Sequence, residues 1–270
     1  MEKYRLIEKS IIKKYRKDIW SKFIKAIKEY ELLKEGDKIA VCISGGKDSF
    51  LLAKCFEELK KHGQFHFDLC FIVMNPGYSE KNINKITELS QKLNISLDIF
   101  DTNVFEISSK LNNAHPCYMC ARMRRGHLYN KAKELGCNKI ALGHHFDDVI
   151  ETILLNVLYG GGFKTMMPKV KSANFEGLEL IRPLYLVKEK SIINWATYNE
   201  LEFLNCACSF TEKQNDSKRA EIKTLIQNFR QTNKFIEYNI FKSAENVNQN
   251  AILGSINNDH KSSFLDNYDD

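Results

Sequence analysis

Short apolar runs alternate with amphipathic helical stretches over most of this 270-residue chain. Lys38–Ile43, Phe67–Met74, Ser96–Asp101, Lys139–Leu142 and Leu178–Ile181 read as strands. Helical spacing covers residues 3–33, Asp48–His62, Glu80–Leu93, Tyr118–Leu135, Asp147–Tyr159, Lys188–Leu201 and Ser217–Arg230. Strands that alternate with helices of this length form parallel βαβ units, so the expected fold class is α/β, a parallel sheet with helices on both faces. Ligands of such sheets bind beyond the carboxyl ends of the strands. The organisation read from the pattern is a basic helical segment over 1–36, one α/β domain over 37–240 and a polar tail over 241–270. Gly160-Gly161-Gly162 starts a flexible basic loop that runs to Lys171.

Hydrophobic residues make up 43% and charged residues 27% of the chain, which excludes disorder, collagen and coiled coil as whole-chain readings. No apolar run approaches the ~18 residues of a membrane helix. Lys13, Lys14, Arg16 and Lys17 interrupt the apolar pattern of Met1–Trp20, so no export signal is read there. A soluble cytoplasmic protein without membrane association is expected. The net charge of +6 is concentrated: residues 1–28 carry ten Lys and Arg against Glu2, Glu8 and Asp18. A basic segment of this kind suits a polyanion such as RNA, and equally suits a solvated helix face.

Ser44-Gly45-Gly46-Lys47-Asp48-Ser49 follows the first strand and opens a helix. Backbone N–H groups and the helix dipole create an anion site at such a junction. Two glycines let the backbone approach phosphate oxygens, the serines add hydroxyls and Lys47 adds charge. The string is neither a Walker A loop nor a dinucleotide fingerprint. Met74, at the carboxyl end of the second strand, joins the ATP-binding candidates. Gly143-His144-His145-Phe146-Asp147-Asp148 follows the fourth strand. There Asp147 and Asp148 are candidates to hold Mg²⁺ on phosphates, while Asp148-x-x-Glu151 also reads as a capping box.

The string SGGKDS resembles the PP-loop signature of the ATP-pyrophosphatase superfamily, and GHHFDD resembles that superfamily's second motif. The resemblance implies ATP bound by Ser44, Gly45, Gly46, Lys47, Asp48, Ser49, Met74, Gly143, His144 and Asp148. It also implies AMP transfer to a substrate oxygen with release of pyrophosphate.

Eight cysteines in a cytoplasmic chain point away from disulfides. Cys42, Cys55, Cys70 and Cys137 sit in apolar or turn contexts and read as small core residues. Cys117 and Cys120 stand at i and i+3 after Pro116, where the helix dipole and Arg122, Arg124 and Arg125 favour thiolate. Cys206 and Cys208 form a second pair. Four thiolates suit zinc, three an iron–sulfur cluster with one open iron, two a redox dithiol, and composition does not choose among them.

The ordered set SGGKDS, C-x-x-C-x-x-x-R-R-G-x-L-Y, GHHxDD and a later cysteine resembles the tRNA 2-thiocytidine synthetase family from about Asp37 to Arg230. That resemblance implies a [4Fe-4S] cluster on Cys117, Cys120 and Cys208, with Cys206 as the alternative third ligand. It further implies thiolation of cytidine 32 in the tRNA anticodon loop, a homodimer, and a sulfur donor such as a cysteine desulfurase. Asp48, Asp148 and Arg124 are its catalytic positions; a guanidinium does not deprotonate, so Arg124 is read for its charge. Arg122, Arg125, Lys164, Lys169 and Lys171 are candidates for tRNA phosphates. The implied reaction adenylates the C2 oxygen of cytidine and then replaces it with sulfur. The alternatives are another PP-loop tRNA-modifying enzyme, of the 2-thiouridine or lysidine type, and a non-catalytic zinc-stabilised RNA-binding module.

Overall fold

The computed structural model of the chain describes residues 2–63, 65–110, 116–204, 218–257 and 260–268. Its six-stranded sheet comprises β1 (Lys38–Cys42), β2 (Asp68–Asn75), β3 (Leu97–Asp101), β4 (Lys139–Ala141), β5 (Lys169–Lys171) and β6 (Glu179–Ile181). The strand order is β3-β2-β1-β4-β6-β5, and every neighbour pair is parallel except β5 with β6. The expected parallel sheet is therefore present, with one antiparallel edge.

The helices of this body are α1 (Lys3–Ile12), α2 (Ser21–Glu29), α3 (Lys47–His62), α4 (Glu80–Leu93), α5 (Val104–Lys110), α6 (Pro116–Glu134), α7 (Phe146–Gly160) and α8 (Glu189–Tyr198). They cover both faces of the sheet. Along β1 the side chains alternate: Ile39, Val41 and Ile43 join a core with α1, α2, α3 and α8, while Ala40 and Cys42 pack with Tyr129 and Ala132 of α6. Burial on both faces is why the strand reads as a continuous apolar run.

The N-terminal segment is not the single helix expected over 3–33. α1 ends at Ile12, Arg16–Trp20 winds as a π-helix, and α2 follows. Ile7, Ile11, Ile19, Phe23 and Ile27 are all buried. Their spacing in multiples of four exceeds the α-helical 3.6, so a straight α-helix would rotate this stripe off the core. The wider π turn takes up that drift.

Deep under α3, the fully buried Lys54 ammonium donates to Glu8 Oε1 at 2.6 Å, to Leu93 O at 2.9 Å and to Glu57. Burial opposes ionisation of Glu8, but hydrogen bonds from Lys54 and Lys61 outweigh it and hold the carboxyl below its ordinary range.

The chain divides into two compact units, with the boundary in α7 after Val149. The second unit holds residues 150–165, α9 (Lys218–Thr232), α10 (Ile236–Ser243) and a hairpin of β7 (Gly254–Asn257) with β8 (His260–Ser263). Within it Arg219 bonds Glu151 at 3.2 Å, and Ile222, Ile226, Ile240 and Phe241 are buried. Among the described residues no helix is long and apolar enough to cross a membrane.

Part of the region read as a basic loop pairs as the edge strand β5, with Lys169 opposite Ile181. Three residues carry too little pattern to be read, and flanking lysines are what an edge strand tolerates. The polar tail likewise contains the hairpin, whose strands are exposed on every residue. With no buried face, it shows no alternation in the sequence.

Candidate active site

β1 and β4 are adjacent, and the strand order reverses between them, which opens a crevice at their carboxyl ends. Two loops meet there. The first leaves β1 through Ser44 and Gly45 to Gly46, the N-cap of α3. Gly45 has φ +88°, and a Cβ on it would lie 2.7 Å from Leu204 Cδ1 and 3.1 Å from Ile86 Cγ1. Both backbone and packing thus require glycine. Gly46 differs: the nearest atom to a Cβ there is Ser44 Oγ at 3.6 Å, an ordinary contact. The protein's own packing leaves room at Gly46, above the first-turn N–H groups of α3. Ser49 pins the loop, its Oγ donating to Gly46 O at 2.9 Å and accepting from Ser44 N at 3.2 Å.

The second loop leaves β4 and enters α7. A Cβ on Gly143 would lie 3.0 Å from Asp48 C, 3.1 Å from Asp48 O and 3.1 Å from Ser49 N. Gly143 is therefore the point where the second loop rests on the backbone of the first turn of α3. The helix cap that follows is not the expected Asp148–Glu151 box. Instead, the backbone N–H of His145 donates to Asp148 Oδ2 at 3.0 Å, and the N–H of Asp148 donates to His145 Nδ1 at 3.4 Å. The reciprocal pair starts one turn earlier because α7 begins at Phe146. His145 Nε2 lies 3.9 Å from Asp48 Oδ1.

Asp48 is the electrostatic centre of the crevice. Its Oδ1 is buried and takes no hydrogen bond. Burial raises its pKa; the His145 and Lys47 charges oppose the rise, and Asp148 adds to it. Lys47 Nζ lies 3.3 Å from Asp48 and 3.2 Å from Glu189 Oε1, at the start of α8. Asp147 Oδ2 accepts from the Glu189 backbone N–H at 2.7 Å, so Asp147 caps α8. A cavity of about 520 Å³ opens beside Gly46, Lys47 and Asp48, with Lys85, Thr197 and Glu202 on its other walls.

The structure thus brings Ser44–Ser49, Gly143 and Asp148 to one crevice. Met74 is buried one residue before the end of β2. His144 is half-buried beside Gly143. Arg124 is half-buried on α6, its Nη2 3.5 Å from Tyr78 Oη, while Arg122 and Arg125 are exposed on the same helix. Lys169 donates to Glu31 O at 3.2 Å, Lys171 is exposed on β5, and Lys164 is exposed in the second unit. Cys120 is half-buried in the second turn of α6. Position 117 falls in the first turn of that helix; its side chain, and Cys206 and Cys208 entirely, lie outside the described residues.

Two site residues escaped sequence reasoning. Glu189 reaches Lys47 from 142 residues away, and no local pattern signals it. His145 did have a signal, as the residue immediately before the Phe146-Asp147-Asp148 string that opens a helix.

Comparison with known proteins shows the family and the fold. The sequence profile of the PP-loop domain family matches residues 16–229. The tRNA-cytidine(32) 2-sulfurtransferase of Citrifermentans bemidjiense is 34% identical over 232 residues, 85% of this chain and 90% of the relative. The protein of the same name from Aeromonas hydrophila is 35% identical over 232 residues, 84% of this chain and 75% of the relative. The U34-tRNA thiolase NcsA from Methanococcus maripaludis, solved with its [4Fe-4S] cluster, superposes with TM-score 0.67 at 24% identity. The superposition covers 83% of this chain and 76% of NcsA, and shows the shared fold.

Proposed function

The chain belongs to the PP-loop family, and from that membership we propose that it is an ATP-dependent tRNA sulfurtransferase that exchanges the C2 oxygen of cytidine 32 for sulfur. The observation that carries the reading is the two-loop crevice: Gly46 with room above the α3 N-terminus, beside a buried Asp48 oxygen that takes no hydrogen bond. That oxygen faces the Lys47 ammonium at 3.3 Å without a hydrogen bond, and a phosphate-bound cation would add to the positive charge it meets. Mg²⁺ is held by one or two carboxylates together with substrate phosphates. Asp48 and Asp148 suit that role.

The residues then have distinct tasks. The first-turn N–H groups of α3 receive phosphate oxygens, and Gly46 keeps that approach clear. Lys47 supplies positive charge, aimed by Glu189. Gly143 and the His145–Asp148 cap hold the second loop against the first. Arg124 adds charge without moving a proton. In the crevice the C2 oxygen of the base attacks the α-phosphorus of ATP, the bond to the β-phosphate oxygen breaks, and pyrophosphate leaves. Sulfide-level sulfur then adds at C2 and AMP departs with the original oxygen. Orientation and charge neutralisation carry most of such catalysis.

Cys117, Cys120 and a third thiolate, Cys208 or Cys206, are the proposed ligands of a [4Fe-4S] cluster. Two thiol positions one turn apart at a helix N-terminus favour thiolates, the donor set such a cluster takes. When bound, the cluster would supply the sulfur nucleophile. A cysteine desulfurase as sulfur donor, a homodimer and a cytoplasmic location complete the reading, with residues 37–240 as the catalytic domain.

The test is nucleoside mass spectrometry of tRNA after incubation with the anaerobically purified protein, ATP, Mg²⁺ and a sulfide source. 2-Thiocytidine at position 32, formed together with AMP and pyrophosphate, is the expected result. ADP and phosphate, or modification of another base, would overturn it.

A further inference from the structure

All ten basic side chains of residues 3–28 are exposed, while Glu8, one of only three acids among residues 1–28, is buried against Lys54. Folding thus withdraws a negative charge and leaves this surface more basic than its sequence arithmetic. Lys9, Lys13, Lys17, Lys22 and Lys28 have no acidic partner among the described residues. Between the π-helix and α2 the surface forms a groove of about 550 Å³ walled by Arg16, Trp20, Ile24, Lys25 and Lys28, with Glu29 at one side paired to Lys25 at 3.4 Å. Trp20 is half-buried and stacks on Phe23 at 5.7 Å, a rigid aromatic wall beside three cations.

We propose that this groove on the N-terminal helices binds the phosphate backbone of the tRNA substrate. The proposal rests on the tRNA reading above and adds a surface outside the two catalytic loops. Two features favour RNA over the other polyanion such a segment suits, an anionic membrane. A basic amphipathic helix binds a bilayer by inserting its apolar face. Here that face is consumed: Ile7, Ile11, Ile19, Phe23 and Ile27 are buried in the core. What remains outward is mostly charge, with the indole of Trp20, the half-buried Ile24 and the exposed Leu6 interleaved, a composition that suits a nucleic-acid backbone.

The chain holds two tryptophans, and Trp195 is fully buried, so tRNA-dependent quenching reports on Trp20. The experiment compares full-length wild type with the triple variant Arg16→Gln/Lys25→Gln/Lys28→Gln. The readouts are Trp fluorescence and filter binding of unmodified tRNA over a salt series. Each phosphate contact contributes about 0.7–0.9 to the slope of log affinity against log salt. The triple variant should lose about 2–3 from that slope, bind tRNA about tenfold or more weakly, and raise KM for tRNA with kcat unchanged. The charge-keeping variant Arg16→Lys/Lys25→Arg/Lys28→Arg should behave as wild type, and Trp20→Phe should lose the quenching. An unchanged thermal midpoint of the triple variant confirms that it folds. Unchanged affinity and slope in the triple variant, with wild type binding normally, would overturn the groove alone. No tRNA binding by wild type would overturn the substrate reading and the groove with it. Binding to phosphatidylglycerol vesicles as tight as to tRNA would assign the surface to membranes instead.

Discussion

A Cβ on Gly143 would stand 3.0 Å from the carbonyl carbon of Asp48, so the loop after β4 touches the first turn of α3 backbone to backbone. Neither side has a flexible side chain to move aside. Gly143→Ala should therefore push the loops apart, at a cost of about 1–3 kcal/mol in stability, with a large fall in ATP turnover. Gly46→Ala meets only Ser44 Oγ at 3.6 Å and should leave the melting temperature unchanged. Its added methyl should still obstruct phosphate, raising KM for ATP about tenfold or more. Thermal melts and ATP kinetics on the pair separate a packing glycine from a ligand glycine; equal melting temperatures for both variants would refute the distinction.

Asp48 predicts a conflict between stability and function. Burial raises its folded pKa above the ordinary 3.8. Stability from the protonated acid is present below 3.8 and is lost as pH rises through the folded pKa. Asp48→Asn should match wild type in acid and melt higher at neutral pH, where each 1 kcal/mol is worth about 2–4 °C. The same variant should lose pyrophosphate release. Calorimetry across pH, with and without ATP and Mg²⁺, measures both effects.

The opposite sign holds for Glu8. Its carboxyl is held below 4.5, so its stabilisation is present above 4.5 and is lost as pH falls through the folded value. Lys54→Met removes one of the two ammonium partners of Glu8 and leaves Lys61 Nζ 2.8 Å from Oε2, so the cost should be about 1–3 kcal/mol. Glu8→Gln should be destabilising at neutral pH, with the gap from wild type closing in acid. Denaturant titrations at several pH values check this.

Glu189→Gln should leave the fold intact and raise KM for ATP by about 3–10-fold, because Lys47 loses one of its two carboxylate partners. The pair is partly exposed, which keeps the effect modest. Asp147→Asn should act in the same direction through the α8 N-terminus. A change in kcat for tRNA with KM for ATP unaltered would argue against positioning.

Cys117→Ala and Cys120→Ala should each abolish iron, acid-labile sulfide and thiolation. Of the second pair, Cys208→Ala should lose the cluster and Cys206→Ala retain it. Iron and sulfide assays on anaerobic preparations decide; the reverse outcome would make Cys206 the third ligand.

Much of this protein can be read directly from its chain. Period-two and period-3.6 apolar patterns are local, so β1 to β4 and their helices are visible within a few residues. SGGKDS is equally local, because a phosphate loop is built from consecutive backbone amides. Other features depend on folding. The His145–Asp148 cap depends on where α7 starts, and strand pairing sets that start. Glu189 meets Lys47 only because α8 packs beside α3. Gly143 matters because β4 lies next to β1, with Val41 opposite Ala141, which sends both following loops into one crevice. The N-terminal groove needs the π turn and the burial of Glu8 by a lysine 46 residues away. Local chemistry specified which groups the site contains; long-range packing decided which of them touch.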